Sequence, residues 1–201
     1  MGAEEKRGQS KNTVVLALHR YNATEATNYC IFTLTPFLSM NIREASKEDF
    51  DAIWPIFNEV ASAGDTYGYR RDTTKEEAFH LWMEYPRKTY VAEEDGMILG
   101  TYYIKTNNEG PGAHVCNCGY MVSTAARGKG LATSMCEHSQ QEALQFGYKA
   151  MQFNFVASSN EGAVHLWNKL GFETVGTLPS AFDHPERGLV DALVMYKWLA
   201  E

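Results

Sequence analysis

A mixed α/β (α+β) domain, a central sheet flanked by helices, is the fold class this sequence predicts, and three observations predict it. Runs of apolar residues with strand-like and helix-like spacing alternate from residue 41 to residue 198. A strand-like run, "HVCNCGYMV", leads into a turn carrying two glycines, "ARGKG", which opens a helix-like run. At 201 residues the chain is long enough to bury one substantial core.

Residues 1–39 differ in character from residues 40–201. They begin with a charged, polar run and hold two short apolar pieces, "VVLAL" and "CIFTL", without an amphipathic period. They read as an N-terminal extension of unknown role, and residues 40–201 as the domain. Its start, "MNIREASKEDF", is a short strand followed by Ser46 with Asp49 three residues later, a helix-start signature. Phe50, Ile53, Trp54, Phe57 and Val60 then recur at helical spacing, which predicts a helix over residues 47–63. "GDTYGYRRD" is turn-rich, and residues 74–85 form a second helix. "TYVAEEDGMILGTYYIK" reads as a hairpin about Asp95-Gly96. After the glycine turn a helix runs to about Phe146, with Gly147 as its stop and Ala132, Met135, Cys136, Ser139, Ala143 and Phe146 facing inward. "AMQFNFVA" is a strand, Asn160 caps a helix ending at Leu170-Gly171, and "FETVGTL" and "VDALVMYKW" are closing strands.

Composition excludes several classes. A net charge of −7 argues against a nucleic-acid binder, whose phosphate contacts need a basic face, while leaving room for a local basic pocket at Arg127 and Lys129. Cys30, Cys116, Cys118 and Cys136 form no disulfide framework. Cys116 and Cys118 share one strand face, and no second pair at zinc-like spacing accompanies them, so no metal is expected. No run reaches the roughly 18 apolar residues of a membrane helix. With no targeting signal legible, the expectation is a cytoplasmic protein without membrane contact.

The stretch "STAARGKGLATSM" carries the first chemical signal. Glycine permits close approach of the backbone, and a helix start offers unpaired N–H groups and a partial positive charge, which together suit a phosphate. A nucleotide P-loop fails, because Gly128-Lys129 is followed by Gly130 and not by Ser or Thr. A dinucleotide fingerprint is weak, because Thr133 stands where the third glycine belongs.

A strand, then Arg127-x-x-Gly130-x-Ala132, then a helix resembles the acetyl-CoA signature of the GCN5-related N-acetyltransferases (GNAT superfamily). Thirty residues after Gly130 comes "NEGAVHLWNKLGF", similar to that superfamily's second hallmark. The resemblance covers about four fifths of the chain and implies a sheet with a splayed strand pair, with acetyl-CoA as co-substrate. It implies that the backbone of Tyr120, Met121 and Val122 pairs with the pantetheine arm. Arg127, Gly128, Lys129, Gly130, Leu131, Ala132 and Thr133 would surround the pyrophosphate, and Asn160 would touch the pantetheine or cap its helix. Many members carry a tyrosine seven residues after the Asn160 equivalent, which protonates the departing thiolate. Here that position is Trp167, whose indole is a donor but no practical proton source, so a wall or packing role is expected.

"GTYYIK", "CNCGYMV", "FNFVASSN" and "WNKLGF" more specifically resemble the fungal acetyltransferases that act on L-azetidine-2-carboxylate and other proline analogues. That resemblance implies catalytic and substrate-holding roles for Asn117 and Asn154. Both sit mid-strand, where Asn is disfavoured and a buried amide needs partners; bonding each other or a loop backbone is the structural alternative. Tyr67 and Tyr69 are expected as walls of the substrate pocket, and Arg70 and Arg71 could attract a carboxylate. His114 and His165 are candidate bases, although an α-amino group with a pKa near 8 could lose its proton through water. The expected partner is a small amino-acid-like amine or imine, and a homodimer is admitted. Alternatives are a phosphinothricin-type acetyltransferase, a protein N-terminal acetylase and a non-catalytic acyl-CoA sensor.

Overall fold

Most strands and helices of the domain answer to a local signal. In the computed structural model, which describes residues 40–200, β1 (Asn41–Glu44) leads through a 3-10 turn to α1 (Phe50–Ala63). The extension assigned to residues 1–39 lies outside the described residues. The Asp49 carboxylate accepts the Ser46 N–H at 2.7 Å, so the start signal works as the spacing implies. Next come α2 (Lys75–Phe79), β2 (Lys88–Glu94) and β3 (Met97–Thr106). The β2–β3 turn has Asp95 at φ 51° and Gly96 at φ 75°, the left-handed pair of a tight hairpin. β4 (Val115–Val122), α3 (Leu131–Gln145), β5 (Ala150–Ala157), α4 (Glu161–Lys169), β6 (Glu173–His184) and β7 (Gly188–Trp198) complete the order.

The seven strands make one mixed sheet in the order β1-β2-β3-β4-β5-β7-β6. Side chains alternate across it, so each face packs its own apolar cluster. Cys116, Cys118, Met151 and Phe153 meet Met135 of α3 and Trp167 of α4 on one side. Tyr103 and Met121 meet Ile53, Phe57 and Trp82 on the other. Cys116, Cys118 and Cys136 are buried free thiols. No helix among the described residues is long and apolar enough to cross a membrane.

Two elements differ from the sequence reading. The second helix keeps α geometry only through Phe79, and His80–Glu84 forms a π turn closed by the Tyr85 N–H on the His80 carbonyl at 2.9 Å. The wide turn accompanies the seating of fully buried Trp82, whose indole N–H donates to Thr101 Oγ1 at 3.0 Å. β6 also runs on to His184, past the Pro179-Ser180 pair at which the strand pattern stops. An irregularity between Leu178 and Phe182, with Ser180 at φ 51°, absorbs the break and lets pairing resume.

Arg43 ties β1 to this frame. Its guanidinium donates to both Asp49 oxygens at 2.7 and 2.8 Å and to Glu93 at 3.1 Å. The Arg43 hydrogen bonds, opposed by burial and helped by Ser46, hold the Asp49 carboxyl well below the ordinary carboxylate range. A depressed carboxylate stabilises the fold above its unfolded pKa of about 4, and that contribution is lost as pH falls toward the folded value. Asp49→Asn should therefore cost about 1–2 kcal/mol at pH 7, allowing for the partial exposure of Arg43. Denaturant melts of both proteins at pH 7 and below pH 3 check this, and the gap should shrink in acid.

Candidate active site

β4 and β5 are parallel neighbours that pair only at Val115–Ala150 and Cys116–Met151. Beyond that they part. Asn117 sits at the fork, buried, and its Nδ2 donates to the Gln152 carbonyl at 2.9 Å while its Oδ1 accepts from the Tyr103 hydroxyl at 3.1 Å. A side-chain amide thus replaces the next backbone contact, and strand pairing cannot continue past it. β5 is held on its far side by β7, with an irregularity between Phe153 and Val156 that bends it away.

The fork opens a cavity of about 340 Å³. Asn117 and Asn154 both line it, as does the ring of Trp167. The two asparagines do not bond each other. Asn154 is exposed; its Oδ1 accepts from Gln152 Nε2 at 2.8 Å and its Nδ2 donates to Asn107 Oδ1 at 2.7 Å. Each amide nitrogen commits one hydrogen to these bonds, leaving a second N–H for another acceptor.

Tyr67 and Tyr69 roof the same cavity, their rings stacked at 5.5 Å. Tyr67 does more than form a wall. Its hydroxyl accepts the Tyr120 N–H at 2.6 Å and donates to the Tyr120 carbonyl at 2.8 Å, pairing with β4 as a peptide unit of an added strand would. In an antiparallel ladder, hydrogen-bonded and non-hydrogen-bonded pairs alternate. Tyr120 therefore faces the gap, as does Val122, whereas the backbone of Met121 is directed at Thr101 on β3. Of the three residues expected to pair with the pantetheine, Tyr120 and Val122 thus turn their backbone to the gap and Met121 does not, and the Met121 side chain is core.

Past β4, Gly128 and Gly130 take φ of 77° and 82°, and nothing lies within 4 Å of where a Cβ would stand on either. Gly130 is the N-cap of α3, with no side chain capping the helix. The amides of Leu131, Ala132 and Thr133 thus begin a fifteen-residue helix without intrahelical partners. Leu131 is buried and anchors the helix, while Arg127, Gly128, Lys129 and Gly130 are exposed. Neither cation enters an ion pair among the described residues. An uncapped helix start, open backbone and two free cations fit a diphosphate.

Asn160 caps its helix, its Oδ1 accepting the Ala163 N–H at 3.2 Å, and the residue also lines the cavity. Trp167 packs on Tyr120 and Phe153 at ring separations of 5.1 and 5.0 Å, as a wall. Other expectations fail on position. His114 is exposed and bonded to the Pro111 carbonyl, His165 is exposed on α4, and neither lines the cavity. Arg70 pairs with Asp72, and Arg71 donates to the Ser62 carbonyl, so both are engaged locally outside it.

No Asp, Glu or His among the described residues lines the cavity. Burial raises the Tyr67 phenol well above its ordinary value and pushes Tyr69 up to about 12, so both stay neutral donors at neutral pH. Sequence reasoning missed Tyr103, Gly119 and Lys105. A Cβ on Gly119 would stand 2.6 Å from the Tyr103 ring, so glycine there makes room for the ring that bonds Asn117. The β3–β4 register puts Tyr103 and Lys105 opposite Gly119 and Asn117, a pairing that no local signal in the sequence announces.

The parallel pair thus splays from the fork, leaving an unpaired β4 edge between the small polar cavity and the uncapped glycine turn. The chain belongs to the Acetyltransferase (GNAT) family, whose model matches residues 50–172. It is similar in structure to a GCN5-related N-acetyltransferase from Kribbella flavida, with TM-score 0.76 and 43% identity over 80% of this chain and 98% of that one. yncA from Salmonella typhimurium, solved with its cofactor acetyl-CoA, shares 25% identity and TM-score 0.69 over 81% of this chain and 95% of its own. The N-acetyltransferase aca1 of Schizosaccharomyces pombe is 34% identical over 98 residues, 48% of this chain and 47% of that protein. The match therefore spans about half of that relative's length.

Proposed function

We propose that the protein transfers the acetyl group of acetyl-CoA to the nitrogen of a small amino-acid-like amine or imine of the proline-analogue type. The observation that carries this reading is the fork held open by Asn117, which joins the strand edge at Tyr120 and Val122 to the roofed cavity. Acetyl-CoA supplies an activated thioester whose carbonyl carbon is attacked by the amine. The chain's residues supply placement. Gly128, Gly130 and the amides of Leu131, Ala132 and Thr133 hold the diphosphate, helped by Arg127 and Lys129. Val122 and Tyr120 offer backbone groups to the pantetheine amides, and for Tyr120 the Tyr67 hydroxyl must yield them. Asn117, Asn154 and Asn160 orient the reacting ends with their free amide hydrogens, and positioning supplies much of the rate.

With no carboxylate or imidazole among the described residues of the cavity wall, the amine loses its proton to water. The thiolate takes its proton from solvent too, because Trp167 is no acid. A cavity of about 340 Å³ under two tyrosines has the size of a small-molecule pocket and not of a peptide groove. Its substrate type also draws on the motifs "GTYYIK", "CNCGYMV", "FNFVASSN" and "WNKLGF", which resemble those of the fungal proline-analogue acetyltransferases. Thiol release from acetyl-CoA with a panel of small amino and imino acids, set against N-terminal peptides, tests the proposal. Small acids should support turnover and peptides should not; the reverse pattern, or binding without turnover, would contradict it.

A further inference from the structure

Lys105 is the one charged side chain among the described residues that line the cavity. It lies near the end of β3, directly opposite Asn117, so the alternation of the strand puts it on the same sheet face as Asn117 and Tyr103. Its ammonium sits 4.6 Å from the centre of the Tyr85 ring and 5.5 Å from that of Tyr103. Ring faces hold a cation in place without neutralising it. No carboxylate among the described residues pairs with it, whereas Lys75 and Lys88 pair with Asp51 and Glu44. Half-burial lowers the Lys105 pKa, a penalty that an anionic partner would relieve. The neighbouring polar groups are the amides of Asn117 and Asn154, which each keep an unused N–H and can add donors to an anion but no charge.

We propose that Lys105 binds the carboxylate of the acceptor, so that the enzyme selects amino and imino acids over the corresponding neutral amines. This rests on the acetyltransferase reading above and names the substrate class of the same site. Pinned at its carboxylate beside Asn117, the acceptor has only its short carbon frame with which to reach the fork, which favours a compact acid whose nitrogen is adjacent to the carboxylate. Arg70 and Arg71, engaged with Asp72 and the Ser62 carbonyl, do not compete for this role.

The test compares L-azetidine-2-carboxylate, its carboxamide and azetidine as acceptors for the wild type, Lys105→Met and Lys105→Arg, with thermal melts of each. Wild type should prefer the acid to the carboxamide by roughly ten- to a hundredfold in kcat/KM. Lys105→Met should lose that preference through a raised KM for the acid, its kcat/KM for the acid falling to the level of the carboxamide, and Lys105→Arg should recover most of it. Wild type that uses acid and carboxamide equally well overturns the assignment of Lys105 without touching the acetyltransferase reading. So does a Met variant that stays folded and keeps its preference. Wild type that acetylates none of the three overturns the substrate reading, and this one with it.

Discussion

Gly130→Asp should weaken acetyl-CoA binding by roughly a hundredfold, about 2.8 kcal/mol. The substitution puts a carboxylate at the N-cap of α3, where the uncapped amides of Leu131, Ala132 and Thr133 invite a diphosphate. Like-charge repulsion and occupation of the helix start act in the same direction. The fold itself should tolerate the change. Nothing lies within 4 Å of the new Cβ, so the cost is the left-handed φ of 82°. For an Asp that cost is about 1 kcal/mol, and the favourable capping of an Asp at this position offsets part of it. Calorimetry with acetyl-CoA beside a thermal melt separates the two quantities. Unchanged affinity in a folded variant would remove the turn from the coenzyme site.

Asn117→Ala should depress turnover by roughly ten- to a hundredfold, and should also cost stability. Truncation strips the Gln152 carbonyl and the Tyr103 hydroxyl of their partner at a buried position. Each unpaired group costs about 1–3 kcal/mol if water does not reach it. Asn154→Ala provides the contrast. Its side chain is exposed, so a loss of turnover there comes without a comparable loss of stability. In both variants acetyl-CoA affinity should stay close to that of the wild type, because the glycine turn and the Val122 edge are intact. Trp167→Phe keeps the aromatic wall against Tyr120 and Phe153 and should be mild. Normal turnover in both Asn variants with a dead Trp167→Phe would move the reaction centre to the indole.

Elements governed by neighbours in sequence were legible from the sequence alone. The Asp95-Gly96 hairpin, the Ser46–Asp49 start, the glycine turn and the Asn160 cap each rest on backbone preferences spanning a few residues. The placement of Asn117 and Asn154 on the cavity was legible too, through family resemblance and strand position. Long-range side-chain contacts were not. The Tyr67 hydroxyl reaches the backbone of Tyr120, 53 residues away, and no periodicity encodes that reach. The partners of Asn117 were not the expected ones, the Asn154 side chain or a loop backbone: they are the Gln152 carbonyl on strand β5 and the Tyr103 hydroxyl. Arg70 looked free in sequence because nothing in a turn-rich loop shows that Asp72 will fold back onto it. Lys105 lay inside a quoted motif and was passed over, because a lysine at the end of a strand is most often a solvated one. Only the packing of Tyr85 and Tyr103 around its ammonium distinguishes it.

Amide-resolved hydrogen exchange, with and without saturating acetyl-CoA, tests the central claim most directly. The claim is that the coenzyme lies along the β4 edge, with its diphosphate on the start of α3. Protection should rise at Val122 and at Leu131, Ala132 and Thr133, whose N–H groups have no partner within strand pairing or helix. Met121, whose backbone faces β3, should change little. Protection that appears elsewhere, with Val122 and the first turn of α3 still exchanging freely, would contradict it.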